Sequence, residues 1–526
     1  MQILLSALPI LLLIWLMTKR SPWPAHIALP FTALLVALVQ VFSFQADILL
    51  MLANAIAGVL AVLTPISIVA GAILLNRILY YSGAEAHLSA WLKTISDNDI
   101  AQLMIIGWAF AFMIEGASGF GTPAAIAAPI LVGLGFPVLR VAILTLTMNS
   151  IPVSFGAVGT PLWFGLSGLN LTTDMMTEIA SLTALLNTLA AFVVPIIALS
   201  FVVTWKYIWR NSVFIILSIL SCTLPYYFVA QWNYEFPALI GGAVGLILSI
   251  GLAKLGIGLV KQPDETFDKK HLSNLQLIKV ITPFTLLIIV LVVTRLPQLP
   301  FKSWLNDVTP MWSSFIGIGQ FEISRALVLS VTDILTTQVS WQYKSLYVPA
   351  LIPFVLVVLI CIPLYHMSRQ QVFMAISDTF KRLLLPCLSL IGALVMVNLM
   401  MQGDNESPMN ILANGFAQLL GGSWLYAAAW LGALGSFFSG SATVSNLTFS
   451  GIQYAIAEKV GLPVSVILAL QSVGAAMGNM VCINNIIAVS TILGFANKEG
   501  VIIKRTILPM LAYGLIAGGV AWCLLR

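Results

Sequence analysis

One stretch of the chain sets a carboxylate among glycines and hydroxyls inside an apolar run. It reads Ile114-Glu115-Gly116-Ala117-Ser118-Gly119-Phe120-Gly121-Thr122-Pro123. A lipid-crossing helix does not favour that mixture, because Gly and Pro weaken or break it and freed backbone groups cannot face hydrocarbon. Such a break is tolerated where protein or a wet cavity surrounds it, and broken helices of this kind hold solutes near the membrane midplane. The stretch, extended through Pro161, therefore reads as half of a solute site. Gly116, Gly119 and Gly121 allow positive φ or close backbone approach. Glu115 is a functional candidate by its position. It either carries a proton or ties down the N–H groups freed over Gly116–Gly121.

The elements that must position it are membrane helices. The 526 residues are 60% hydrophobic and 8% charged, with mean hydropathy +1.02, whereas soluble domains carry about 25% charged residues. A membrane β-barrel would show short alternating segments instead of long apolar runs. The net charge of +5 comes from Lys and Arg in short loops, with no basic patch interleaved with aromatics, so nucleic-acid binding is set aside. The five cysteines are scattered with no C-x-x-C, and the four histidines have no metal-ligand spacing. No metal or cofactor is implied.

Apolar runs of spanning length recur from Ile3–Met17, taken as a retained first helix, to Thr506–Leu525. The expected fold is an all-α polytopic membrane protein with about twelve to fourteen transmembrane elements. Placing the basic clusters in the cytoplasm fits alternating crossings with the N-terminus outside. The polar loop 261–279 then links two halves, 1–260 and 280–526, on the cytoplasmic side. Residues Pro297 to Lys344 fall outside. They are rich in Trp and Pro and are expected to include helices lying in the interface.

The two halves echo one another. Ser439-Gly440-Ser441-Ala442-Thr443-Val444-Ser445-Asn446 follows an apolar run and is again dense in small and hydroxyl residues. Each patch is followed by Gly-x-Pro-Val, at Gly135 and at Gly461, and then by a helix that breaks at a polar patch. The first of these spans Asn149, Ser150 and Ser154, and the second runs from Gln471 through Asn479 to Asn485. The Gly-x-Pro-Val marks lie 326 residues apart, and Gly116 and Gly440 lie 324 apart. Near-equal offsets argue for a duplication. The orientation makes the two units inverted repeats with broken helices or re-entrant hairpins, the pattern of an alternating-access carrier. The motif regions are 114–161 and 439–485.

With both motifs in view, the chain resembles the bacterial L-lactate permease family, the lactate and glycolate proton symporters. The resemblance rests on Glu115 to Pro123, Leu131 to Phe136, Pro152 to Ala157, Gly440-Ser441 through Ser445-Asn446, and Gly478-Asn479-Met480. It implies an inner-membrane carrier taking up L-lactate, and D-lactate or glycolate, with a proton. Two departures stand out. The family's second motif reads Gly-Ser-Asp-Thr-Ser-Ser-Asn, and here Ala442 and Val444 replace its Asp and second Ser. A family Gly-Lys-Met-Ile-Ser-Pro-Gln is replaced by Gly478 to Asn484. A carrier without that Asp relies on Glu115, uses another ion, or does not couple.

A lactate ion needs a receptor for its carboxylate and a partner for its hydroxyl. Half-helix N-termini can supply the first without a cation. Ser118, Thr122, Gly440, Ser441, Thr443, Ser445 and Asn446 are the leading candidates for the rest. Asn149, Ser150, Ser154, Gln471 and Asn479 come second. The alternative on the same scaffold is a sodium- or proton-coupled carrier of another small organic anion. An intramembrane enzyme would need a nucleophile beside a base or clustered metal ligands, and the apolar segments hold neither. A passive channel is the other class, and accumulation against a gradient excludes it.

Overall fold

The computed structural model describes residues 2–19, 23–119, 122–260, 274–295, 299–348, 350–403, 406–494 and 498–526. Most of the loop expected to link the halves, 261–273, lies outside the described residues, and 274–279 begins a helix.

The first half runs α1 (Gln2–Thr18), α2 (Ala25–Ser43), α3 (Ile48–Ala61), α4 (Leu63–Tyr81), α5 (Ala84–Lys93) and α6 (Asp99–Gln102). A π-helical stretch, Leu103–Phe110, leads into α7 (Ala111–Ser118), α8 (Thr122–Val132) and α9 (Val138–Met148). A 3-10 turn, Pro152–Phe155, precedes α10 (Gly156–Trp163). Then come α11 (Thr173–Ala191), α12 (Val194–Ser200), α13 (Trp205–Arg210), α14 (Ser212–Ala230) and α15 (Pro237–Lys254).

The second half opens with α16 (Asn274–Arg295) and α17 (Phe301–Leu305). Four strands follow, β1 (Pro310–Phe315), β2 (Gln320–Ser324), β3 (Val328–Thr332) and β4 (Trp341–Lys344). A π-helical turn, Ala350–Val355, leads into α18 (Leu356–Leu364), α19 (Arg369–Met401) and α20 (Pro408–Leu420). The chain ends with α21 (Trp424–Ser439), α22 (Ala442–Val460), α23 (Val464–Gly478), α24 (Ile483–Ile492) and α25 (Glu499–Leu524).

The protein is a helical, multi-pass membrane protein. Among the described residues nine helices are long and apolar enough to span a bilayer, or ten if the bent pair Val138–Met148 and Pro152–Leu169 counts as one span. Three shorter apolar helices, Gln2–Met17, Ile281–Arg295 and Leu351–Leu364, stand beside them. One expectation is corrected. Over its described residues, 299–344, the stretch from Pro297 to Lys344 carries one short α-helix, a 3-10 turn and an antiparallel sheet in the order β1-β2-β3-β4, not a set of interfacial helices. Apolar residues alternate in β2 and β4, a period of two that a Trp- and Pro-rich composition conceals.

An offset of 326 residues carries elements of one half onto the other. It takes the first residue of α9 to the first of α23, and the first of α11 to the first of α25. It places α5 within α20. Both Gly-x-Pro turns behave alike, with a positive-φ Gly (Gly135 at 97°, Gly461 at 75°) and an extended Pro137 or Pro463 opening the next helix. The strands and α13–α15 have no counterpart at this offset.

The chain divides into two compact units, each drawing on both halves. One comprises Met1–Glu85 and Ile278–Leu419. There α19 runs antiparallel to α3 and α4, with Asn398 Nδ2 donating to the Asn54 carbonyl at 3.2 Å near one end. At the other end Arg77 meets Asp378 at 3.5 Å. The Ser368–Gln371 capping box starts α19. The other unit comprises Ala86–Leu277 and Leu420–Arg526 and holds both motifs. Its spans Asp99–Ala117 and Val464–Ser490 are each 94% buried over their most apolar window, against 33–61% for the other seven spans among the described residues. The two motif-bearing helices are thus jacketed by protein, which permits their breaks.

Candidate functional site

Glu115 lies in the last turn of α7, which stops at Gly119. Gly119 has φ 57° and ψ −149°, a conformation only glycine adopts readily, so the chain turns away here before α8. Gly116 does a different job. It lies inside α7, where a Cβ would overlap the backbone of Leu239, so it allows close packing on α15. The corresponding stop in the second half is Gly440, with φ 75°, at the end of α21. Ser441 then caps α22, its hydroxyl oxygen accepting from the Val444 N–H at 3.3 Å.

These two breaks meet within one unit around a small pocket. One side is Glu115, Gly119, Gly156, Ala157 and Pro161, and the other is Gly440, Ser441, Ala442, Thr443 and Asn479, with Val153 between. Glu115 is the one ionisable residue among the described residues that line it. It is 3% exposed, and its Oε2 accepts from Asn149 Nδ2 at 2.9 Å. The Asn149 Oδ1 is buried and has no hydrogen-bond partner among the described residues. A methyl group at Gly156 would overlap Glu115 Oε1, so that glycine makes room for the carboxyl. Ala442 packs with Val153, Ala475 and Ala476 into an apolar wall.

The pocket wall contains a left-handed turn that sequence reading missed. Ala157, Val158 and Gly159 have φ of 43°, 57° and 71°. For alanine and a β-branched valine this costs about 1–2 kcal/mol per residue. It is held by the Trp163 indole N–H donating to the Val158 carbonyl at 3.0 Å, and by close packing of Gly159 on Tyr234 and Glu235.

Of the sequence candidates, Glu115, Gly119, Gly440, Ser441, Thr443 and Asn479 line the pocket. Asn149 reaches it through Glu115. The others bond elsewhere. The Ser118 hydroxyl donates to the Ile114 carbonyl at 3.0 Å and Ser150 to the Thr147 carbonyl at 2.8 Å. Ser154 donates to the Ser472 carbonyl at 3.3 Å and accepts from Asn187 Nδ2 at 3.1 Å. Ser445 donates to the Gly432 carbonyl at 2.6 Å. Gln471 Nε2 donates to Ser445 and to Asn446 Oδ1, each at 3.3 Å, and Asn446 Nδ2 donates to the Pro161 carbonyl at 2.8 Å. Ser118 and Ser150 thus bond within their own segments, while Ser154, Ser445, Asn446 and Gln471 fix elements to one another. Thr122 opens α8, and Gly121 lies outside the described residues. Among the described residues no group of three or more His, Cys, Asp or Glu could hold a metal.

Sequence reading also missed a second polar knot, because its members come from separate helices. The Tyr513 hydroxyl donates to Asn187 Oδ1 at 2.6 Å, and Asn187 Nδ2 donates to the Tyr226 hydroxyl oxygen at 2.6 Å. Through Ser154 this knot holds the Pro152–Phe155 turn beside the pocket.

Comparison with known proteins shows the family. Residues 2–526 match the family model described as L-lactate permease. A relative from Haemophilus influenzae is 52% identical over 518 residues, covering 98% of this chain and 97% of its own. The L-lactate permease of Escherichia coli strain K12 is 24% identical over 529 residues, covering 98% and 94%. The glycolate permease of the same strain is 24% identical over 517 residues, covering 94% and 90%. A solved structure, MtrF of Neisseria gonorrhoeae, aligns over 97% of this chain and 96% of its own at a TM-score of 0.48 and 14% identity. The chain belongs to the L-lactate permease family and is a membrane transporter, not an enzyme.

Proposed function

We propose that this permease imports L-lactate, and D-lactate or glycolate at the same site, by proton symport with alternating access. Glu115 carries the proton. The observation behind this reading is a small pocket whose one ionisable lining group, among the described residues, is a carboxyl with an amide partner. A 2-hydroxymonocarboxylate brings a second negative charge. Two like charges about 5 Å apart repel by about 3 kcal/mol at an effective dielectric of about 20. A proton on Glu115 removes that repulsion, so the proton and the anion enter together. Asn149 suits both states: its NH₂ donates to the carboxylate, and its Oδ1, without a partner among the described residues, can accept from the protonated form.

The substrate carboxylate is received by the first turn of α22. There the Ala442 and Thr443 N–H groups precede the first intrahelical bonds, and the helix dipole favours an anion. The Thr443 hydroxyl and the Asn479 amide are the partners for the substrate hydroxyl. The halves 1–260 and 280–526, joined through 261–279, act as inverted copies that exchange roles as the site opens to either side. A glycolate permease among the relatives supports the wider substrate range. A second reading rests on Ala442, which sits in an apolar wall where the family motif has an acid: the coupling ion is sodium, or the cargo is another small organic anion.

The test is labelled L-lactate uptake into proteoliposomes holding this protein alone, with inward proton and sodium gradients imposed separately. Accumulation driven by protons supports symport through Glu115. Accumulation with sodium only transfers the coupling to the second reading. No uptake under either gradient removes lactate as the cargo.

A further inference from the structure

The strands β1–β4 form an insertion with two unlike faces. Register places Trp312, Phe321, Ile323, Leu329, Val331, Trp341 and Tyr343 on one face. The opposite face carries the row Ser313, Glu322, Ser330 and Gln342. The apolar face is only partly covered. At the β3–β4 end, Val331 and Trp341 pack with Ile334 on Ala53 and Ala57 of α3, and Phe321, Leu329 and Tyr343 pack against the same cluster. At the other end Trp312, on the edge strand β1, is 50% exposed, and Ile316 in the β1–β2 turn is 46% exposed, while Phe315 pairs with Gln320 on the opposite face.

Helix α3 fixes the level at which this happens. Ala53 and Ala57 form one stripe, occupied by the sheet. A neighbouring stripe of the same turns, Leu49, Leu52 and Val59, is bare, at 48%, 47% and 46% exposed. A bare leucine stripe on an apolar helix of a multi-pass membrane protein faces lipid. The sheet therefore packs beside residues at bilayer depth, and its apolar face continues past the helix toward the same medium.

We propose that the uncovered apolar face and the β1 edge rest in the interfacial layer of the bilayer, making this insertion a membrane-surface anchor. Trp312 is its central residue, since an indole has an apolar body and a polar N–H suited to that layer. The polar row faces water. Lipid is favoured over another occupant because the exposed face is continuous with an existing packing surface on a lipid-flanked helix.

The test is spin labelling of the full chain in nanodiscs. Trp312→Cys and Ser313→Cys are made separately in a background whose five native cysteines are replaced by alanine. These neighbours point to opposite faces. The expected result is an oxygen-to-nickel-chelate collision ratio several-fold higher at 312 than at 313. Equal, water-like accessibility at both positions overturns the proposal. Shielding of 312 from both reagents, with dipolar broadening only in discs holding two chains, also overturns it and assigns the face to a second copy. Should the cysteine-free background fail to fold, brominated-lipid quenching is compared between the wild-type chain and Trp312→Phe. A smaller quenched fraction in the variant supports lipid contact, and an unchanged fraction overturns it.

Discussion

The two breaks share a design but not a chemistry. Each ends a helix at a positive-φ glycine, and the two stops face each other across one pocket. The first carries Glu115, Asn149 and a strained left-handed turn. The second offers a capped helix N-terminus, hydroxyls and the apolar Ala442. This asymmetry argues for a division of labour in which the first break handles the proton and the second receives the anion. Duplicated scaffolds can keep their backbone device while one copy loses its charge, because the stop depends on glycine and packing and not on the acid.

The largest expected effect comes from Glu115→Gln. The amide mimics the protonated acid in shape, so lactate exchange across the membrane persists. Proton-driven accumulation falls to the level of simple equilibration. Counterflow and gradient-driven uptake, measured on one preparation, separate the two. Retained accumulation would remove Glu115 as carrier and leave it an architectural role at the Gly119 stop.

Gly156→Ala sharpens the same side of the comparison without touching the acid. Its methyl group overlaps Glu115 Oε1, so the carboxyl must move or the turn must open. Overpacking of this kind costs about 1–3 kcal/mol. Uptake is expected to fall by about tenfold or more, with the pH dependence of transport altered as well as the rate. A variant that lost stability but kept the wild-type pH profile would show that Gly156 serves packing alone.

Ala442→Asp probes the other side. It restores the acid that the family motif carries and puts a second carboxylate on the pocket wall. At neutral pH the added charge repels the substrate, and the apparent KM is expected to rise by about tenfold, consistent with a like-charge repulsion of a few kcal/mol partly relieved by solvent and protonation. Lowering the pH should recover affinity. An unchanged KM at every pH would mean that the anion does not bind near the α22 N-terminus.

Much of this was legible in the sequence where the cause is local. The stops at Gly119 and Gly440 and the Gly-x-Pro turns follow from glycine and proline chemistry, which neighbours do not override. Glu115 was found because a carboxylate in an apolar run is costly without a purpose. Hydroxyls and amides were harder, because their sequence signal is the same whether they face a cavity or a backbone carbonyl. Ser445, Asn446 and Gln471 looked like site residues and instead bond helices together. The turn at Ala157-Val158-Gly159 was invisible because Ala and Val disfavour positive φ, and its supports, the Trp163 bond to Val158 and the Tyr234–Glu235 segment against Gly159, come from tertiary contacts. The sheet was misread because four short strands leave a weaker pattern than their tryptophans do.

The smallest effect tests whether the first break is held as the second is. Around the second, Gln453 and Gln471 bridge α22 and α23, with Gln453 Nε2 donating to Gln471 Oε1 at 2.9 Å. Around the first, the support is the Tyr513–Asn187–Tyr226 knot. Tyr513→Phe removes one hydroxyl and leaves Asn187 Oδ1 without its donor. The expected loss is about 1 kcal/mol of stability, a Tm shift of about 2 °C or less for a chain of this size. Because Asn187 still bonds Tyr226 and Ser154, the Pro152–Phe155 turn stays in place and the KM for lactate should not change. A KM that rises while Tm holds would mean that the knot sets the shape of the pocket itself, so that the first break depends on distant helices in a way the second does not.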